Sequence, residues 1–309
     1  MMKIISKKIN IIIIATVSLS IIIIFTILIF QNSKILQNQD KGVMGKTTIF
    51  VKDIQSPQGL TLGRDEKLFT QCSYDGKISI IDKDGKAFDY IYLNNCFGYG
   101  IDIDEHDNIL IAAIDEVIKI DSSGNILQSY KGFKNAYDIE LAPDSTIFIS
   151  DSKENIIYKV SPQGEITEFA VLGNRKSTNV ANVTGICFDK EFKNLYAVNM
   201  FTGSLYKISL TKDYEAKELE IIASNLKSPN FIDIDGAGNM YITCLGDDTV
   251  VRVDQNSIVE VIENQGKLSA PSGIVVIDSD NSEGILCIAS KDSNSIYKIN
   301  LGIKNKTKK

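Results

Sequence analysis

From residue 47 to residue 301 the chain repeats one pattern of apolar and polar positions six times. Each repeat opens with a short run in which apolar residues alternate with polar or small ones, and these runs occupy residues 59–63, 100–104, 138–142, 185–189, 231–235 and 273–277. A polar turn, a second apolar run and a third alternating run follow in every repeat, and five repeats add a fourth run. Period-two alternation of β-branched and aromatic residues predicts half-buried β-strands.

The repeat length predicts the architecture. Successive first runs start 38 to 47 residues apart, and four short antiparallel strands in such a period are typical of one blade of a β-propeller. We therefore predict an all-β, six-bladed β-propeller over residues 47–302, with four antiparallel strands in each blade. The alternative, a β-solenoid, would have shorter and more uniform turns of chain.

The two ends of the repeat region predict how the ring closes. The sixth repeat ends after its third run, near Leu301, whereas the segment TTIFVK at residues 47–52 precedes the first repeat and has no partner there. Pairing of this N-terminal strand with the last blade would cover the edges that an open sheet exposes.

An uncharged apolar segment precedes the repeats. Residues 9–30 contain no charge, proline or glycine, and about 20 apolar residues are enough for a helix to cross a bilayer. We predict an uncleaved transmembrane signal anchor, with a cleaved signal peptide as the alternative. Lys3, Lys7 and Lys8 precede the segment and only Lys34 follows closely.

This distribution of lysines predicts the topology. The positive-inside rule places residues 1–8 in the cytoplasm and the propeller outside the cell membrane, after a stalk over residues 31–46. Residues 303–309 then form a basic, solvated tail. Removing the four lysines of residues 1–34 from the net charge of −6 leaves −10 for the rest of the chain. A nucleic-acid partner is therefore not expected.

The composition excludes two kinds of site, a disulfide scaffold and a metal site with several histidine ligands. Five cysteines in 309 residues do not form a disulfide scaffold, and we expect buried free thiols that pack as small apolar groups. A site with two or three histidine ligands is excluded because His106 is the single histidine. His106 lies in a hairpin turn between first and second strands, where we expect it to be solvated.

Residues 137–160 and 231–253 carry a resemblance to known proteins. Each has the strand and turn pattern of an NHL repeat, and the pattern is shared with the gluconolactonase (regucalcin)-like and strictosidine-synthase-like six-bladed propellers. The resemblance covers residues 47–301 and concerns architecture more than activity. In such propellers the loops that enter first strands share one face with those between second and third strands.

These loops supply the candidate site at the mouth of the central channel. The predicted ligand-binding residues are Gln58, Tyr99, Tyr137, Asp151, Thr184, Asn199, Asn230 and Ser272. The gluconolactonase-like resemblance implies a divalent cation such as calcium at this mouth, held here by Gln58, Asp151, Asn199 and Asn230. The pattern departs from that family because Gln58 stands where an acid is expected.

Three functions follow from these observations. The first is a membrane-anchored, extracytoplasmic propeller that binds a small envelope or extracellular ligand, or a partner protein. The alternative is a metal-dependent hydrolase of a lactone or small ester, and the third is a structural spacer. The sequence leaves open whether the protein is an enzyme and identifies no catalytic residue.

Overall fold

The computed structural model describes residues 45–73, 76–93, 98–173, 183–263, 266–278 and 284–301. The predicted anchor at residues 9–30, most of the stalk and the basic tail lie outside these residues. Among the described residues, no helix has the length and apolar character needed to cross a membrane. Their regular structure is almost entirely antiparallel β-sheet, with one short 3-10 helix at Arg64–Glu66.

The strands of the described residues pair into five sheets. The first repeat gives β2 (Pro57–Leu62), β3 (Leu68–Cys72), β4 (Lys77–Ile81) and β5 (Ala87–Tyr92). A six-stranded sheet follows, with β6 (Ile101–Ile103), β7 (Ile109–Ile120), β8 (Ile126–Leu141), β9 (Ile147–Asp151), β10 (Ile156–Val160) and β11 (Ile166–Val171). The next sheet contains β12 (Val183–Phe188), β13 (Asn194–Asn199), β14 (Ser204–Leu210) and β15 (Ala216–Ala223).

The last two sheets complete the propeller. One contains β16 (Pro229–Ile234), β17 (Met240–Cys244), β18 (Thr249–Val253) and β19 (Val259–Glu263). The other contains β20 (Pro271–Ile277), β21 (Ile285–Ser290), β22 (Ser295–Asn300) and the N-terminal strand β1 (Thr48–Lys52).

The prediction of six separate four-stranded blades is therefore wrong in its count. The second and third repeats share one sheet because Ala136 pairs both with Ile114 and with Asp151, so the ladder continues from one repeat into the next. Strand β7 spans the predicted second and third runs of its repeat. Strand β8 likewise spans the predicted fourth run and the first run of the next repeat.

The predicted closing strand is confirmed. Strand β1 pairs antiparallel with β22, with Thr48 opposite Lys298 and Lys52 opposite Ser295. This register makes the N-terminal strand the outer strand of the last sheet. The ends of the repeat region are thus held together by main-chain hydrogen bonds.

Six first-strand segments surround a central axis, and we call them the inner ring: β2, β6, residues 136–141 of β8, β12, β16 and β20. Hydrogen bonds join every neighbouring pair around the inner ring, namely Thr61–Asp102, Gly100–Tyr137, Ile186–Asp138, Thr184–Pro229, Val276–Asp233 and Ser272–Gln58. The inner ring is therefore closed.

Glycine permits the close approach of neighbouring inner strands. A Cβ atom on Gly59 would lie 2.3 Å from the carbonyl oxygen of Tyr99, and one on Gly185 would lie 2.6 Å from the Cα atom of Phe231. Both distances are shorter than any normal contact, so a side chain at either position would push two strands apart.

Hydrophobic clusters fill the gaps between successive repeats. Phe148 and Phe188, for example, meet edge to face at 5.2 Å between the third and fourth repeats. Cys72, Cys187, Cys244 and Cys287 are free and buried, which confirms the expectation for four of the five cysteines. Cys96 lies outside the described residues.

Candidate functional site

The predicted mouth residues at the start of the first strands form one layer of the inner ring, which we call the polar ring. Its members are Gln58, Tyr99, Tyr137, Thr184, Asn230 and Ser272. All are buried except Tyr99, which is half-buried. The Tyr99 and Tyr137 rings stack with centroids 4.5 Å apart and planes 10° from parallel, and Tyr137 also contacts Phe231.

The hydroxyl of Tyr137 spans the inner ring. It donates a hydrogen bond of 2.6 Å to Oδ1 of Asn230, although Tyr137 lies on the third inner strand and Asn230 on the fifth. Burial, aided by the neighbouring Tyr99 and Asp138, raises the pKa of Tyr137, so its hydroxyl remains a donor at all physiological pH values. The stacked tyrosines thus cross the axis at this level.

Two of the other polar-ring side chains are hydrogen-bonded to the main chain, and one has an oxygen without a partner. The hydroxyls of Thr184 and Ser272 donate to the carbonyl oxygens of Pro229 and Gln58, at 3.1 and 2.8 Å. Oε1 of Gln58 is buried and accepts no hydrogen bond among the described residues. A hydrogen-bond donor on a ligand could therefore bind to this oxygen.

The structure places Asp151 in a turn-stabilising position. Its carboxylate accepts hydrogen bonds from four main-chain N–H groups, those of Lys134, Asn135, Lys153 and Glu154, at 2.6 to 3.3 Å. A carboxylate with this many donors holds two loops and has little capacity left for a cation.

Asn199 has a similar position. Its Oδ1 accepts from the main-chain N–H groups of Phe201 and Thr202 at 3.1 and 2.9 Å. Asn230 is also engaged, through Tyr137. Three of the four candidate metal ligands therefore already serve protein donors, and the fourth, Gln58, is uncharged. Hard divalent cations need clustered oxygens that include negative charge, so these residues do not fit such an ion.

An acidic cavity adjoins the polar ring along the inner strands. Asp102, Glu140 and Asp233 each stand three residues after a polar-ring position, a rise of about 10 Å, whereas Asp138 directly follows Tyr137. The volume of the cavity is about 170 Å³ and it is lined on the acidic side by Asp102, Asp138, Glu140 and Asp233. Asp102, Glu140 and Asp233 also line a wider opening at the far end, where Asp189, Lys190 and Asp278 join them.

Burial raises the pKa values of these four carboxyl groups, and the negative charges of the neighbours raise them further. The pKa of Asp138 is raised to about 8 and that of Asp233 to about 7. The pKa of Asp102 is raised and that of Glu140 lies well above its usual range. The sequence analysis missed this cavity. A signal was present, because the third residue of three of the six first runs is an acid: Asp102, Glu140 and Asp233.

Comparisons with known proteins agree with this geometry at the level of the fold. No protein-family model matches the sequence, and no curated protein matches it. The structure is similar to virginiamycin B lyase from Staphylococcus aureus, with 18% identity, a TM-score of 0.62, and coverage of 82% of this chain and 99% of that chain. It is also similar to a catalytically inactive histidine-to-alanine variant of that lyase with quinupristin, with 20% identity, a TM-score of 0.59, and coverage of 82% and 99%.

A third similar structure is XC5397 from Xanthomonas campestris, a gluconolactonase. It shares 12% identity and a TM-score of 0.69, with coverage of 83% of this chain and 89% of that chain. The chain therefore has a β-propeller fold like those of gluconolactonase and virginiamycin B lyase, and the resemblance noted from the repeats is confirmed at that level.

Proposed function

We propose that this chain is a membrane-anchored, extracytoplasmic β-propeller that binds a small envelope or extracellular ligand, or a partner protein, at the polar ring. One observation carries the choice of binding over hydrolysis. Asp151, Asn199 and Asn230 are all hydrogen-bonded to protein donors, so the oxygens that a hydrolytic metal would need are already engaged.

The polar ring supports binding of a neutral ligand with a hydrogen-bond donor. The unsatisfied oxygen of Gln58 favours a hydroxyl or amide group over an anion. The half-buried ring of Tyr99, held by its stack on Tyr137, offers a rigid apolar surface beside it in the same layer. A rigid aromatic surface orders at little cost in conformational entropy when a ligand packs against it.

The lyase reaction is less well supported than binding. Virginiamycin B lyase is inactive when one of its histidines is replaced by alanine. The single histidine of this chain, His106, has a side chain that is 73% exposed. It sits on the turn between β6 and β7, away from the polar ring.

Calorimetric titration with a panel of neutral envelope sugars and peptides tests the binding proposal. We expect Tyr99→Ala to abolish the binding of any ligand that the detergent-solubilised chain takes up. The control Tyr92→Ala, at a tyrosine that is 62% exposed on β5, should leave binding unchanged. Equal affinity in Tyr99→Ala and the parent chain would remove the polar ring as the site.

The alternative function, a metal-dependent lactonase, is supported by the similarity in fold to gluconolactonase. Thermal unfolding with and without millimolar calcium or manganese tests it, because an ion that binds the folded state raises its stability. A metal-dependent rise in melting temperature together with turnover of a lactone would establish the alternative and refute the binding proposal.

The predicted anchor places the propeller outside the cell. Protease added to intact cells should remove the propeller while leaving a cytoplasmic control protein intact. Full protection of the propeller, with cleavage only after the cells are lysed, would reverse the proposed orientation.

A further inference from the structure

Three carboxylates of the acidic cavity each connect one inner strand to the next. Oδ2 of Asp102 accepts from the N–H of Leu141 at 3.0 Å, Oδ2 of Asp138 accepts from Ile186 at 2.9 Å, and Oδ2 of Asp233 accepts from Val276 at 2.6 Å. Inner strands have a free edge toward the axis, so these side chains satisfy main-chain donors that sheet pairing leaves open. The carboxylates are therefore part of the contact between repeats.

The same geometry crowds negative charge. Glu140 lies in the same cavity as the three connecting aspartates, and no lysine, arginine or histidine is among the described residues that line it. Four ionised carboxylates in about 170 Å³ would repel one another strongly in so small and enclosed a space. Like charges that share a site retain protons instead of ionising together.

Each inner strand contributes side chains to the lining of the acidic cavity or to its surroundings. Strand β2 contributes Thr61, β6 Asp102, β8 Asp138 and Glu140, and β16 Asp233, while β20 contributes only apolar residues. Strand β12 contributes Ile186 to the lining. Burial, together with the charges of Glu140, Asp233 and Asp138, raises the pKa of the neighbouring Cys187 thiol. Toward the opening lie Asp189, Asp278 and Lys190. Asp104 also acts on Asp102, but it is paired with Lys119 at 2.7 Å. Lys190 and Lys119 together do not balance these acids.

We propose that the acidic cavity makes the inner ring a pH-dependent link between repeats. At neutral pH the four crowded carboxyl groups do not all ionise, and the three connecting aspartates keep their hydrogen bonds to the neighbouring strands. Loss of the retained protons as the pH rises places uncompensated charge between the second, third and fifth inner strands and loosens the ring.

The sign of the effect follows from linkage. A carboxyl group whose pKa is higher in the folded chain binds more protons when the chain is folded than when it is unfolded. The stabilisation that this group provides is therefore complete below the unfolded pKa near 4, and it is lost as the pH rises through the folded pKa. For Asp233 and Asp138 that loss falls around pH 7 and 8. Stability should therefore decrease between pH 5 and pH 9.

Thermal unfolding of the full chain in detergent at several pH values tests the proposal. We expect the melting temperature to fall by about 5 °C or more between pH 5 and pH 9. Glu140→Gln keeps the side-chain shape but binds no proton, so it should be more stable than the parent at pH 9 and have a flatter profile. The control Glu218→Gln, on the exposed outer strand β15, should reproduce the parent profile.

A proton count on the unmodified chain gives a second test that does not depend on a variant folding. Unfolding at pH 7 in weak buffer should release about one proton or more per chain, and Glu140→Gln, where it folds, should release fewer. A pH-independent melting temperature in the parent, or no net proton release on unfolding, would overturn the proposal. An undiminished fall in melting temperature in Glu140→Gln would do the same.

Discussion

The hydrogen bond between Tyr137 and Asn230 gives the sharpest prediction about the inner ring. Replacing Tyr137 by phenylalanine removes one oxygen atom and leaves the ring stack on Tyr99 in place. Asn230 is 1% exposed, so its Oδ1 loses a donor and gains no solvent. The Nδ2 group still donates to the carbonyl of Pro271 at 3.4 Å, which keeps the amide from turning toward another partner.

The expected size of the effect follows from these contacts. A buried acceptor left without a donor costs about 1–3 kcal/mol, and the free energy of unfolding of Tyr137→Phe should fall by about that amount. For a domain of this size each kcal/mol corresponds to roughly 2–4 °C, so the melting temperature should drop by roughly 2–12 °C. Circular dichroism at the β-sheet wavelength measures both quantities.

A double-mutant cycle separates this bond from general packing. Asn230→Leu has nearly the same shape as asparagine without its polar atoms, so the double variant should be more stable than the sum of the two single changes predicts. The control Tyr92→Phe, at an exposed position, should change stability by less than about 0.5 kcal/mol. Strict additivity of the two single changes would refute the bond across the axis.

Three further predictions concern other parts of the propeller. Ile114→Asn should stabilise the chain by about 1 kcal/mol, because a β-branched residue at φ of 59° is strained and asparagine tolerates this region; an unchanged melting temperature would contradict it. Gly59→Ala should destabilise by about 1–3 kcal/mol through contact with Tyr99, whereas Gly284→Ala, where the nearest atom is 3.4 Å away, should cost less. Asp151→Ala should lower the melting temperature by several degrees, because four main-chain N–H groups lose their acceptor, and calcium should raise the melting temperature of neither the parent nor the variant; a calcium-dependent rise in the parent that the variant lacks would show that Asp151 is a metal ligand.

Much of the architecture was readable from the sequence, because period-two alternation and turn residues act locally. Asp104 and Asn108 illustrate this: the Asp104 carboxylate accepts from the main chain of Asn108 and from its side chain, both at 2.9 Å, and the same Asp–Asn pair closes the turns at Asp121 and Asp235. The closing strand was readable because an unpaired strand remained at each end of the repeats.

The sheet count could not be read in the same way. Whether two repeats share a ladder depends on the short connection at Ile114, which brings this residue opposite Ala136. No alternation pattern records that approach. The six repeats read from the sequence do not correspond one to one to sheets, because hydrogen bonding in three dimensions decides how many sheets they form.

The candidate site was only partly predictable. The aligned starts of the first strands identified the polar ring, since equivalent positions of a repeat lie at one level of a closed ring. The roles within it were not predictable, because Asp151 could be a metal ligand or a turn-stabilising residue until its four main-chain donors were known. Glu140 and its acidic neighbours come together only when three inner strands converge.

Closure of the ring by the N-terminal strand is the central claim, and a disulfide across that pairing tests it most directly. Thr48 and Lys298 lie opposite each other in the β1–β22 ladder, where opposed Cα atoms are about 4.5–5.5 Å apart, a separation that a disulfide can span. The double variant Thr48→Cys, Lys298→Cys should form this bond on mild oxidation, seen as a linked peptide by mass spectrometry, and should unfold at a higher temperature than its reduced form. The pair Thr48→Cys, Lys193→Cys serves as the control. Failure of residues 48 and 298 to link while both thiols still react with a maleimide, or equal linkage in the control pair, would contradict the closed ring.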